Sequence, residues 1–186
     1  IGYYKDDDED DLYNAMFHEK VVFENCTFQG DALFKYSEFD KMSKFSGSRF
    51  EEEALFKYSE FSKNAEFQNC QFDEEANFKY AEFDQPALFK ESRFKGEANF
   101  KYSEFDEYVK FSQTSFKQDA SFKYCKFPEG VSFKGVVFED DVTFKYARFY
   151  DPTDMSGVEF EEEVNFEYAK YEGDDFTEYL LKNKFE

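Results

Sequence analysis

A period of 22 residues runs through almost the whole sequence and constrains its fold more than any other feature. The tripeptide Phe-Lys-Tyr begins at Phe34 and returns every 22 residues without insertion or deletion, until Phe-Glu-Tyr takes its place at Phe166. Within each period, Phe recurs at alternating steps of five and six residues. Such regularity is typical of a solenoid, in which each unit packs on its neighbours.

The spacing of the Phe residues excludes a helix and favours short strands. Five residues advance an α-helix by about 500°, which is about 140° past a full turn, so successive Phe would not share one face. A small or β-branched residue stands two positions before nearly every Phe, as at Ala32, Ser37 and Ser43. Residues two apart in an extended chain point to the same side, so both columns are predicted to point inward. Four strands and four corners per period then close into a square coil, and coils stack about 4.8 Å apart.

The repeat resembles the pentapeptide-repeat superfamily, whose unit is a small residue, any residue, an apolar centre and two more residues. Here the unit reads Ala-Leu-Phe-Lys-Tyr from Ala32 and Ala-Asn-Phe-Lys-Tyr from Ala98, and the resemblance covers about residues 10–173. It implies an all-β fold, a right-handed quadrilateral β-helix of about seven coils. The family more often has Leu at the centre and strict steps of five. This chain is therefore expected to be a Phe-centred variant with a wider coil of 22 residues.

The two ends of the chain depart from the repeat, although the Phe lattice extends backwards to an apolar residue at Leu12. Residues 1–11 include an acidic run and are predicted to form an acidic N-terminal tail or loose cap. Residues 12–173 are predicted to form the β-helix, with a C-terminal segment, 174–186, of helical character. That segment is predicted to be a helical cap or a tail that joins two subunits in a homodimer, through Phe176, Tyr179, Leu180 and Phe185.

Composition limits the possible partners. The chain has 43 acidic and 23 basic residues, a net charge of −20, which would repel nucleic acid because binding there depends on Lys and Arg. No apolar run is long enough to cross a membrane. Three widely spaced cysteines form no metal-binding or disulfide pattern, so we expect buried thiols in a reducing, cytoplasmic setting.

The sequence gives no support for catalysis. His18 is the single histidine and is expected to face outward beside a lattice Phe. No phosphate-binding glycine loop, nucleophile–histidine pair or metal-ligand spacing is present. The acidic clusters are expected to attract cations only weakly. The chain is therefore predicted to be no enzyme and to need no cofactor or metal.

Two surface columns are candidate interaction surfaces, because the period places equivalent residues above one another. The first is an acidic corner preceded by Asp31, and its members are Glu53, Glu75, Glu97, Asp119, Asp141 and Glu163. The second is a column of tyrosines that begins with Tyr36, Tyr58, Tyr80 and Tyr102. In the alternative interpretation, the acidic corner is an ordinary solvated face. Tyr then covers a corner, while neighbouring Lys and Glu columns neutralise each other.

These observations predict a rigid scaffold for protein–protein contacts, whose partner the sequence does not name. The alternative is an acidic mimic of DNA, since the resemblance implies that some members occupy the DNA-binding saddle of gyrase, a type II topoisomerase. The acidic corner favours this alternative. Members that protect gyrase often carry protruding loops, and the uninterrupted lattice leaves no room for them.

Overall fold

A computed structural model describes residues 2–5 and 11–182 and contains a parallel β-helix with four faces. Each coil contributes one strand of two residues to each face. Inside the stack, each strand pairs in parallel with the strands 22 residues before and after it, as Ala54 pairs with Ala32 and Ala76. The predicted four-sided solenoid of about seven coils is confirmed, since three faces have seven strands each.

The faces are numbered here in chain order. Face 1 consists of Met16–Phe17, Glu38–Phe39, Glu60–Phe61, Glu82–Phe83, Glu104–Phe105, Lys126–Phe127, Arg148–Phe149, Lys170–Tyr171 and the antiparallel strand Asp174–Asp175. Face 2 consists of Val21–Val22, Ser43–Lys44, Ala65–Glu66, Ala87–Leu88, Val109–Lys110, Val131–Ser132 and Thr153–Asp154.

The remaining two faces have the same construction. Face 3 consists of Thr27–Phe28, Arg49–Phe50, Gln71–Phe72, Arg93–Phe94, Ser115–Phe116, Val137–Phe138 and Glu159–Phe160. Face 4 consists of Ala32–Leu33, Ala54–Leu55, Ala76–Asn77, Ala98–Asn99, Ala120–Ser121, Val142–Thr143 and Val164–Asn165.

The core consists of four Phe ladders, one along each side of the coil. Consecutive rings in a ladder are nearly parallel, with centroids 4.8 Å apart for Phe45 and Phe67 and 5.0 Å apart for Phe78 and Phe100. Rings of two facing ladders meet edge to face, as Phe67 meets Phe78 at 5.3 Å and 86°. Both arrangements are favourable for aromatic rings, so the ladders add specific ring contacts to the burial of apolar surface.

The corners explain the alternating steps of five and six residues. After faces 2 and 4 the chain makes a tight turn, in which Ser37 N donates to Phe34 O and only the third residue, Tyr36, has positive φ. This is the pattern of a type II turn. The wide corners after faces 1 and 3 place three residues between a lattice Phe and the next inward-pointing small residue, instead of two, and the acidic corner is the one after face 3.

Small polar residues at the tight corners form hydrogen bonds between coils. Ser92 Oγ donates to Phe67 O at 2.6 Å, and Cys125 Sγ donates to Phe100 O at 2.9 Å. Burial raises the pKa of the Cys70 thiol to about 12 and raises that of Cys125 as well. The two thiols are buried as predicted, whereas Cys26 is only half-buried.

The two ends differ from the coils. Gly2–Lys5 and Asp11–Asn14 form an antiparallel hairpin, so the stack of parallel strands begins at Met16–Phe17, after the predicted lattice position at Leu12. At the other end, helix α1 spans Phe176–Lys182. Among the described residues, no helix has the length and apolar character that a bilayer crossing requires.

Candidate interaction surfaces

The acidic corner follows face 3 and carries carboxylates in three parallel columns. The column nearest face 3 is largely neutralised. Asp73 accepts hydrogen bonds from Arg49 Nε at 2.6 Å and from Lys95 Nζ at 2.8 Å, and Glu139 pairs with Lys117. Burial acts to raise the pKa of Asp73, but the hydrogen bonds from Lys95 and Arg49 outweigh it and hold that pKa below its usual value.

The column nearest face 4 differs because its carboxylates lack cations. Its members form no ion pair within the described residues, and they are the predicted Asp31, Glu53, Glu75, Glu97, Asp119, Asp141 and Glu163. The carboxylates of Asp119, Asp140 and Asp141 lie within 4.8 Å of one another. Burial, followed by the charges of Asp140, Asp141 and Glu97, raises the pKa of Asp119. This column, called the outer acidic column below, therefore concentrates unneutralised negative charge.

A shallow groove of about 320 Å³ runs beside the C-terminal half of the outer acidic column. Its floor is the outward row of face 4, which presents amide and hydroxyl groups from Asn99, Ser121, Thr143 and Asn165. Carboxylates at one wall and neutral hydrogen-bonding groups on the floor suit the ammonium or guanidinium group of a Lys or Arg side chain. The groove is thus chemically matched to a basic surface.

The tyrosines form a continuous stack at the tight corner between faces 4 and 1, here called the tyrosine ladder. The rings are nearly parallel, with centroids 4.8 Å apart for Tyr36 and Tyr58, 4.9 Å for Tyr58 and Tyr80, and 4.8 Å for Tyr80 and Tyr102. The stack continues through the remaining members, Tyr124, Tyr146 and Tyr168. It is one uninterrupted aromatic ridge along the rod.

Each ladder tyrosine occupies a backbone conformation that a bulky residue seldom adopts. Their φ angles lie between +58° at Tyr80 and +65° at Tyr124, a region that costs roughly 1–3 kcal/mol for a non-glycine residue. Ring stacking and the preceding lysines offset that cost, since Lys57 Nζ lies 5.0 Å from the Tyr58 ring centroid. Among the described residues, Lys57, Lys79 and Lys101 form no ion pair with the neighbouring Glu column. The expected neutralisation of that column by these lysines is therefore not found.

The outward row of face 1 changes sign halfway along the rod. It is called the bipolar ladder below, and its members are Glu38, Glu60, Glu82, Glu104, Lys126, Arg148 and Lys170. The change of sign is already visible in the sequence, whereas the pairing expected between this row and the Lys column is not found among the described residues. The hydrogen bonds that hold the buried Ser and Cys residues were also not predicted, because they join residues 25 positions apart.

Other predicted residues have clear positions. His18 is exposed, with 67% of its side chain accessible, and contacts Asp40 Oδ2 at 2.6 Å. Phe176 is buried on the last core layer, where its ring lies 4.2 Å from that of Phe149. The Tyr179 hydroxyl donates to Thr153 O at 2.7 Å, and Leu180 is half-buried beside it. Phe185 lies outside the described residues.

Comparisons with solved structures found distant likenesses. Two trypsin-treated variants of QnrB1, a plasmid-mediated fluoroquinolone resistance protein, align over 92% of this chain and 95% of theirs, with 14% and 13% identity and TM-scores of 0.27 and 0.26. HetL, a pentapeptide repeat protein involved in heterocyst differentiation regulation from the cyanobacterium Nostoc sp. strain PCC 7120, aligns over 84% of this chain and 93% of its own, with 10% identity and a TM-score of 0.17. No sequence among the curated proteins matches the chain.

The sequence model of the repeat is more informative than these distant structural likenesses. A family model described as pentapeptide repeats (9 copies) matches six overlapping segments, residues 12–59, 37–81, 56–104, 78–126, 100–148 and 133–178. Together the segments span almost the whole β-helix, including all four faces and both kinds of corner. This chain therefore belongs to the pentapeptide repeat family.

Proposed function

We propose that this protein is a non-enzymatic scaffold whose outer acidic column docks a basic surface of a partner protein. The observation that carries the proposal is the contrast between neighbouring columns of one corner. Asp73 and Glu139 are neutralised within the chain, whereas Glu97, Asp119 and Asp141 are not. Unneutralised like charges destabilise a fold, and a cationic partner relieves that repulsion.

The β-helix makes this surface rigid. Every coil is hydrogen-bonded to the next on all four faces, and the core rings leave little freedom for the corners to move. A partner therefore meets carboxylates at fixed spacings of about 4.8 Å along the rod. Preorganised charge of this kind favours specificity and fast association more than raw affinity.

Crosslinking in a lysate of the source cells tests the proposal with two charge-matched variants. The first carries Glu97→Lys and Asp119→Lys in the outer acidic column. The second carries Glu107→Lys and Glu129→Lys, two exposed residues on the wide corner after face 1. We expect wild type and the second variant to capture the same proteins by mass spectrometry, and the first variant to lose them. Equal capture by both variants would contradict docking at the acidic corner.

Mimicry of DNA is the second candidate, because the outer acidic column is a straight row of carboxylates on successive coils. A surface that normally binds phosphates recognises such a row through its Lys and Arg side chains. Under this candidate, the protein inhibits supercoiling by purified gyrase, and the changes Glu53→Lys, Glu75→Lys and Glu97→Lys relieve the inhibition. Unchanged supercoiling at high protein excess would exclude gyrase as the partner.

For the C-terminal segment, we propose the role of a cap. The burial of Phe176 against the last ring layer supports capping over the alternative, a homodimer contact through the tail. Removal of residues 174–186 is then expected to leave the mass in solution unchanged while lowering stability. If the truncated protein instead has the mass of one subunit in solution while the full chain has the mass of two, the tail dimer is supported.

A further inference from the structure

The bipolar ladder divides face 1 into an acidic half and a basic half. Four glutamates, from Glu38 to Glu104, occupy consecutive coils, and three cations, from Lys126 to Lys170, occupy the next three. Most of these side chains are exposed. Stacked like charges in adjacent strands repel each other, so both halves are unfavourable in the isolated chain.

No ion pair among the described residues neutralises either half, although Asp175 is the register neighbour of Lys170 and interacts with its charge. None of the seven side chains takes part in an ion pair, including Glu104 and Lys126, which are register neighbours. Burial, together with the charges of Glu104 and Glu60, raises the pKa of Glu82. Arg148 Nη1 donates only to backbone carbonyls, such as Tyr168 O at 2.9 Å. The face therefore presents two rows of charge that form no ion pairs within the described chain.

A second copy of the chain supplies the missing charges if it packs on face 1 in the opposite direction. A two-fold axis that lies in the contact plane, at the height between Glu104 and Lys126, places each ladder against its own reversed sequence. At this register Glu104 faces Lys126 of the second copy. The next coils outward bring together Glu82 with Arg148, and Glu60 with Lys170, whereas Glu38 lies beyond the last cation of the second copy. We infer that face 1 is a self-association surface that pairs two antiparallel rods through the bipolar ladder.

The columns on either side of the bipolar ladder are compatible with this register. On one side, the symmetry brings the tyrosine ladder against its own copy, and ring contacts are favourable there. A groove of about 340 Å³ lies between the tyrosines and the ladder where the sign changes, and Tyr102, Tyr124, Glu104 and Lys126 line it. On the other side, Asp106 faces Pro128 of the second copy, so no like charges meet directly.

Two effects limit the strength of this contact. Each rod carries a net charge of −20, so two copies repel each other at long range. That repulsion is screened beyond about 8 Å at physiological salt, whereas ion pairs in contact are screened less. The contact area is also small, because the face is narrow and its parallel strands span only roughly 35 Å, or seven steps of about 4.8 Å. We therefore expect a weak, reversible dimer.

Sedimentation equilibrium at about 0.15 M salt measures this dimer and its dependence on the ladder. We expect wild type to dimerise at high concentration and Glu104→Lys to raise the dissociation constant at least about tenfold, because each of two symmetric pairs becomes repulsive. Lys126→Glu should act similarly. Lys110→Glu on face 2 makes the same charge change away from the ladder and should alter the constant by less than about threefold. A wild-type monomer up to about 1 mM would overturn the inference.

Two double variants of equal net charge test the register itself. Glu104→Lys with Lys126→Glu exchanges the two members of one predicted pair, so dimerisation should return close to the wild-type constant. Glu104→Lys with Lys170→Glu disturbs two different pairs and should dimerise least of all. Equal constants for the two double variants would rule out this register. Circular dichroism confirms that each variant remains folded.

Discussion

Ser103 Oγ donates a hydrogen bond to the carbonyl oxygen of Phe78, 2.8 Å away and one coil earlier. Ser103 closes a tight corner, and Phe78 opens the equivalent corner of the preceding coil. The same bond joins Ser59 to Phe34 at 2.6 Å and Cys125 to Phe100 at 2.9 Å. A small side chain is thus required for space, and a hydroxyl or thiol also links successive coils.

Removal of this bond should lower stability by a measurable amount. Ser103→Ala is expected to reduce the free energy of unfolding by about 1 kcal/mol, the usual net value of a buried hydrogen bond. Ser37→Ala is the matched control, because the buried Ser37 Oγ in the same column has no hydrogen-bond partner among the described residues. It should be neutral or slightly stabilising. Urea unfolding curves compare the two, and equal losses would contradict the assigned bond.

The cap at the C-terminal end should contribute strongly to stability. Phe176→Ala removes a fully buried ring from the last layer and is expected to cost about 3 kcal/mol. Leu181→Ala changes an apolar residue of the same helix that is 79% exposed, and it should cost less than about 0.5 kcal/mol. Hydrogen exchange should also show faster opening of the last coils in Phe176→Ala. A uniform change along the rod would contradict a local capping role.

Positive φ angles give opposite predictions at the two tight corners. Glu91 has φ of +61° and is exposed at the corner after face 2, where other coils have Gly47 and Gly135. Glu91→Gly is therefore expected to stabilise the fold by about 0.5–1 kcal/mol. Tyr80→Gly relieves a similar angle but removes a ring that is stacked on two neighbours, so it should not stabilise. Thermal melts of both variants decide between these outcomes.

Stability should rise when the pH falls from neutral towards the acidic range. The folded-state pKa of Glu82 is raised above 4.5, first by burial and then by its acidic neighbours. Between the unfolded and the folded pKa of this group, the folded state therefore binds more protons than the unfolded state. This gain is complete below the unfolded pKa and is lost as pH rises through the folded pKa. Asp73, with a pKa lowered from 3.8, acts oppositely and loses its stabilising contribution only at stronger acidity.

Glu82→Gln tests the origin of this pH dependence. The variant should already be more stable than wild type at pH 7. Its stability should rise less on acidification, because the carboxyl group with the raised pKa has been removed. The midpoint of thermal unfolding, followed across the pH range at a protein concentration below dimerisation, reports both effects. A pH profile identical to that of wild type would assign the gain to other carboxyls.

The architecture could be predicted because the decisive features repeat along the chain. A Phe every five or six residues, with a small residue two positions earlier, determines which side chains point inward, and one correct coil specifies all the others. The repeat does not predict the N-terminal hairpin. Leu12 continues the lattice, yet its strand pairs antiparallel with Gly2–Lys5, and that choice depends on chain pairing rather than on period.

The candidate surfaces were predicted less completely. Column positions of Glu97 and Tyr80 follow from the period, so both columns could be identified before the structure. The ion pairs could not be predicted from the period, because the distances between side chains depend on corner geometry. Lys95 reaches across a coil to Asp73, whereas Lys79 lies over the ring of Tyr80.

Because each coil is one interchangeable module, the number of coils acts as a molecular ruler. Duplication of 22 residues in the middle of the chain would lengthen the rod by about 4.8 Å without a new core design. The same duplication would move the point on face 1 where the charge changes sign, relative to both ends. Coil number therefore sets not only how far this protein reaches, but also where along its length another rod can align with it.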